Sequence, residues 1–178
     1  YGSSQAKCSV ASVEIFVSKP APIIVGVAAT SGGAANTMIS KGDQIVITFN
    51  EATNMPPQNS TSHTLNTSEV DLVFSFATPF INTSLVTDAY SGVWLSPTKF
   101  QIMITDEGYP QPFSSALQQE IVTGVWTVST NQNRGPCSKL TSQNPDPYCL
   151  LTADATSLQA NSTSPALTGD FGTTLPEV

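Results

Sequence analysis

Apolar and polar residues alternate along this chain in short runs separated by turn residues. In 9–17 (SVASVEIFV), Val13, Ile15 and Val17 alternate with Ser12, Glu14 and Phe16, the two-residue period of a strand. Lys19-Pro20-Ala21-Pro22 then interrupts the chain, because each proline lacks an N–H and stiffens the backbone. A second strand is expected over 23–29 and ends at Ser31-Gly32-Gly33. After the turn Lys41-Gly42-Asp43, residues 44–50 carry the clearest alternation: Ile45, Ile47 and Phe49 on one face, Val46 and Thr48 on the other. Residues 51–68 read as a long polar loop around Pro56-Pro57. The run 67–74 fits a short helix capped by Thr67 or Ser68, and equally fits a strand, since periodicity does not separate the two over so few residues. Residues 92–95 and 99–105 flank Ser96-Pro97-Thr98 at hairpin spacing. A last strand is expected over 121–128, with Trp94 and Trp126 filling the core.

Seven or so short strands with turns between them predict an all-β fold, an immunoglobulin-like antiparallel sandwich with an extra N-terminal strand. Two parts are expected: an extension over 1–19 and a sandwich domain over 20–178. Starting at Tyr1 without Met or signal peptide, the chain reads as a processed product or a fragment of a longer one.

Composition narrows the function. Of 178 residues, 22 are Ser and 22 are Thr, while charged residues make up only 11%. An ordinary soluble domain has about 25% charged residues, so hydroxyls supply this surface's polarity. The net charge is -7, and the six basic residues are scattered, which argues against nucleic-acid binding. No apolar run approaches the roughly 20 residues of a membrane-spanning helix. Cys137 and Cys149 flank a loop rich in Pro, Asn and Ser. That pattern reads as a disulfide in an oxidising compartment and places the protein outside the cell or on its surface. Cys8 is left over, free or bonded to another chain.

The runs KGDQIVITFNEATN and SPTKFQIMITDEG, with the LTGDFG-like end, resemble the Ig-like repeats of bacterial surface-layer proteins and of large algal and protist cell-surface glycoproteins. The resemblance covers about 21–172 and leaves 1–19 outside. It implies a structural or adhesive repeat and brings no catalytic residues with it.

Candidate chemistry is sparse. His63 is the single histidine, and no nucleophile-elbow, zinc-protease or paired-cysteine metal pattern occurs. The acid pairs Asp106-Glu107 and Glu69/Asp71 would serve a glycosidase or a calcium ion only by converging on one groove; acids in turns are ordinarily solvated surface. No cofactor, no metal and no catalysis are expected. N-glycosylation sequons stand at Asn59, Asn66, Asn82 and Asn161. Ten asparagines among a quarter Ser and Thr give about 2.5 sequons by chance, so their placement in polar stretches matters more than their number.

The strand at 9–17 is either the first strand of its own domain or a donor strand that enters a neighbouring copy, with Val13, Ile15 and Val17 as the inserted side chains. The stiff linker after it favours exchange. The expected function is therefore a structural subunit of a glycosylated extracellular filament or coat, a homopolymer assembled head to tail. The alternative is an adhesive or carbohydrate-binding repeat of a larger surface protein. A secreted hydrolase is a third reading.

Overall fold

Ile45, Ile47 and Phe49 are at most 3% exposed, and the strand they define, β2 (Gln44–Phe49), is the centre of the molecule. In a computed structural model of the chain, the structure describes residues 19–32, 41–57, 61–78, 88–105, 126–132, 137, 145–155 and 157–169. β2 pairs antiparallel with β1 (Ile24–Thr30) on one side and with β6 (Lys99–Ile104) on the other. β6 forms a hairpin with β5 (Tyr90–Ser96) around Pro97 and Thr98, where the spacing predicted one. The short strands β3 (Thr64–Leu65) and β8 (Thr168–Gly169) close the sheet in the order β3-β5-β6-β2-β1-β8.

A helix, α1 (Thr67–Val73), leads directly into β4 (Phe74–Phe76), which pairs with β7 (Val128–Thr130) in a second sheet. The cap of α1 is Asn66, not Thr67 or Ser68 as expected. Its side chain accepts the Glu69 N–H, and the Glu69 carboxylate accepts the Asn66 N–H, a reciprocal capping box. Thr67 is buried instead, donating to the Tyr90 carbonyl at 2.7 Å and accepting the Tyr90 N–H at 3.1 Å. An asparagine oxygen reaches the N3 amide as well as a hydroxyl does, and this leaves Thr67 free to tie the helix to β5. The strand expected over 121–128 is met only at Val128: Trp126 and Thr127 precede β7, their carbonyls accepting the Leu167 and Ala77 N–H at 3.3 and 3.0 Å, and 121–125 lie outside the described residues. Residues 9–17 and Cys8 lie outside them as well.

The faces of the two sheets enclose one core. Phe74 of β4 lies tilted 4.9 Å from Phe100 of β6, Phe49 lies 5.8 Å from Trp94, and Phe76 stacks 5.8 Å from Trp126, centroid to centroid. Trp94 and Trp126 are both at most 1% exposed, as their place in the pattern predicted. A side chain at Gly92 would put a Cβ 2.3 Å from Phe100 Cζ and 2.7 Å from Val70 Cγ2, so its absence lets α1 close on the sheet. Gly92→Ala should therefore lower stability by about 1–3 kcal/mol through overpacking. Chemical denaturation measures this, and an unchanged midpoint would contradict the close approach.

Residues 160–169 join the two layers. Ser162 and Ser164 line up beside β7, with Thr130 N–H to Ser162 O at 2.9 Å and Ser164 N–H to Val128 O at 2.7 Å. The same stretch then crosses to the large sheet, where Thr168 and Gly169 run parallel to Ala28 and Ala29. Ser162 Oγ accepts the Ile24 N–H, and Thr168 Oγ1 donates to Val27 O. Hydroxyls here take hydrogen bonds that a regular ladder would make with backbone, which keeps buried amide groups paired.

Candidate functional site

Three polar groupings and one cleft stand out. The first grouping sits at the start of α1. Glu69 accepts from the Asn66 N–H at 3.0 Å and from the Tyr148 hydroxyl at 3.0 Å, and its carboxylate lies 3.8 Å from His63 Nε2. The hydrogen bond from the Asn66 backbone, then those from Tyr148 and the proximity of His63, hold the Glu69 carboxyl below its usual range against the opposing effect of burial.

The second is Asp71, two residues on, which accepts a hydrogen bond from the Tyr90 hydroxyl. Burial pushes the Asp71 carboxyl up, with the Tyr90 bond working against it, and pushes the Tyr90 hydroxyl far above its ordinary range. Glu69 and Asp71 thus engage different partners and do not converge on a shared groove, so the geometry of a paired-acid catalyst is not formed by them. Asp106 and Glu107 lie outside the described residues.

The two carboxyls have opposite linkage to pH. Glu69, with its folded value lowered, adds stability above its unfolded value that is lost as pH falls through the folded one. Asp71, with its folded value raised, adds stability on protonation, fully present below the ordinary 3.8 and lost as pH rises through the folded value. Asp71→Asn keeps an acceptor for Tyr90 and removes the buried charge. The variant should be more stable than the parent at pH 7, by an amount on the order of 1 kcal/mol, and the advantage should shrink toward pH 4. Thermal melts across that range check it; a difference independent of pH would assign the effect to packing.

Asn161, at the edge of β7, is the third grouping: its side-chain oxygen accepts from Gln132 Nε2. Asn66 and Asn161 are both exposed, and each uses its side-chain oxygen in the contacts described. The nitrogen is the atom to which an N-glycan attaches, so capping by Asn66 and glycosylation are compatible. Asn59 and Asn82 lie outside the described residues.

The cleft lies beside the disulfide. Cys137 and Cys149 are bonded with their Cα atoms 5.4 Å apart, the pairing expected from the sequence. Asn54 fastens the second cysteine in place: its Nδ2 donates to Cys149 O at 2.9 Å, its Oδ1 accepts the Leu151 N–H at 2.8 Å, and its own N–H donates to Leu151 O at 3.0 Å. Against this seam opens a cleft of about 420 Å³ of mixed lining, with Pro57, Pro147 and Leu151 beside the polar Asn54, Asp146 and Asp154. Lys19 binds Asp154 and pairs in parallel with Ser157, so the chain enters the described structure at this rim.

Asn54, Tyr148 and Tyr90 were not singled out from the sequence. Asn54 meets its partners across 95 and 97 residues and Tyr148 meets Glu69 across 79, separations at which no spacing rule operates. Among the described residues no group of three or more His, Cys, Asp or Glu is placed to hold a metal ion, and no helix is long and apolar enough to cross a membrane. No protein-family model matches the chain, and no curated protein and no solved structure is detectably similar to it.

Proposed function

We propose that this chain is a structural module of a glycosylated extracellular coat or filament, an Ig-like sandwich whose N-terminal segment, residues 9–17, links neighbouring copies. The observation that carries the reading is where its polar chemistry goes. The disulfide is built into the core edge, with Cys149 1% exposed and held by Asn54. The buried hydroxyls of Thr67, Thr130, Ser162 and Ser164 bond to backbone and hold elements together. A fold that uses hydroxyls in place of charges and carries a disulfide across 12 residues suits an oxidising exterior. Asn66 and Asn161 are the sites where carbohydrate is expected, since both are exposed and present a side-chain nitrogen.

Electron microscopy of native material, together with mass spectrometry of its peptides, tests this. Ordered assemblies containing the chain, with glycan on Asn66 or Asn161, are the expected result. A chain recovered only as an unmodified, unassembled protein would sink the reading.

A further inference from the structure

We propose that an N-glycan on Asn161 lies over an aliphatic strip made by Ile23, Val25 and Leu158, and that this strip is the docking surface for its first N-acetylglucosamine units. This rests on the glycosylated character read above, and adds which asparagine matters and where its sugar sits on the fold.

The strip follows from register. Lys19 bridges Ser157 in parallel, and the Ile24 N–H reaches Ser162 Oγ, each pair 138 positions apart. Residues 19–25 and 157–163 therefore run side by side, with Pro20 beside Leu158, Ile23 beside Asn161 and Val25 beside Thr163. Burial keeps the same step: Pro22 and Ala160 are buried, as are Ile24 and Ser162, while the three flanking pairs are exposed. Five large hydrophobics are exposed among the described residues. Three of them, Ile23 at 47%, Val25 at 48% and Leu158 at 69%, stand around this one asparagine. Exposed aliphatics scattered singly are ordinary, whereas a cluster marks a surface that something covers.

The occupant follows from the tether. Asn161-Ser162-Thr163 is a sequon. Thr130 and Ser129 of β7 pair with Ser162 and Thr163, so 161–163 lies between β7 and residues 19–25. Gln132, just past β7, donates to Asn161 Oδ1. With its oxygen turned to the β7 side, the amide presents its nitrogen to the Ile23 side. Neighbouring strands stand about 4.8 Å apart and diagonal neighbours about 7–8 Å, distances that a pyranose ring and its acetamido group span.

The chemistry matches. N-acetylglucosamine has a face of C–H groups and an apolar acetyl methyl, which take aliphatic surface out of water while the hydroxyls stay solvated. Residues 20–30 and 157–169 contain no charged side chain, as suits a neutral sugar. Attachment transfers the oligosaccharide from a lipid diphosphate. The bond from sugar C1 to the diphosphate oxygen breaks, Nδ2 bonds to C1 and gives up a proton, and the lipid diphosphate leaves with the electron pair.

The test uses the full chain in two forms, secreted from a eukaryotic host that adds N-glycans and exported to a bacterial periplasm that allows the disulfide without them. Asn161→Gln is compared with the parent in each form, and again on a background of Ile23→Thr with Leu158→Thr. Glycopeptide mass spectrometry gives occupancy and thermal melts give stability. The expected result is an occupied Asn161, and a melting temperature that Asn161→Gln lowers by roughly 2–4 °C in the secreted form only. On the Ile23→Thr, Leu158→Thr background that loss should vanish. An empty Asn161, no loss in the secreted form, an equal loss in both forms, or a loss that persists on the double background would overturn the proposal. Ordered native assemblies with glycan on Asn66 alone would overturn it too and leave the broader reading standing. A sugar coupled to Ile23 and Leu158 on a chain that never assembles would support it and sink the broader reading.

Discussion

Replacing Trp94 by alanine should cost about 3–5 kcal/mol and lower the melting temperature by roughly 6–20 °C. The indole is 1% exposed and lies against Phe49 and Phe100, with ring centroids 5.8 Å and 4.9 Å away. Its Nε1 also donates to Pro56 O at 2.9 Å, in a buried position. Truncation therefore opens a cavity between β5 and the loop that carries Pro56, and orphans a carbonyl. Trp94→Phe separates the two effects. It keeps most of the contact and loses the donor, so it should cost about 1–3 kcal/mol. Equilibrium denaturation of both variants checks this. Equal losses for the two would mean that the hydrogen bond, not the packing, holds the loop.

Removing the disulfide should have the next largest effect, about 3 kcal/mol for a loop of this length. Cys137 and Cys149 are 12 residues apart, so most of the gain comes from restricting the unfolded chain. A double change to alanine or serine tests it better than reduction, because reduction leaves two thiols at the core edge. Serine at 149 should be worse than alanine there, since that side chain is 1% exposed and a buried hydroxyl needs a partner. Denaturant midpoints that do not move would show that Asn54 and its three hydrogen bonds hold 149–151 without help.

Much of the large sheet was legible before any coordinates. Ile45, Ile47 and Phe49 alternate with half-buried Val46 and Thr48 because β2 is central, with one face on the core and a ladder on both edges. The β5–β6 hairpin was announced by Pro97 and by the apolar runs around it. Where the pattern was silent, tertiary contacts decided. Residues 67–74 split into helix and strand at Val73 and Phe74, because Asn66 and Glu69 close a capping box at one end and β7 captures Phe74 at the other. The β8 stretch carries almost no apolar signal; it is a strand because Gly169, at φ 79°, can press to the Ala29 backbone, where a Cβ would meet the Ala29 oxygen at 2.3 Å. The disulfide was readable from spacing and loop composition. The cleft beside it was not, because its walls come from segments around positions 55, 137 and 150.

The crossing of 160–169 between the layers sets when this protein can fold during synthesis. Ile24 finds the hydroxyl that receives its N–H only at Ser162, 138 residues later, and β1 gains its outer neighbour only at Thr168. A nascent chain leaving the ribosome at about 5–20 residues per second therefore presents one bare edge of β1 for roughly ten seconds or more. During that interval β1 can pair with β2 and β5 with β6, but the crossing stretch that ties β7 to β1 is still missing. Non-local closure of this kind is slow. In a chain carrying several such modules in tandem, each would complete only after its own 160–169 stretch emerges, and the bare β1 edge of one would meet the unfinished edge of the next. Such an array would favour long spacers, or a chaperone that covers β1 until Ser162 arrives.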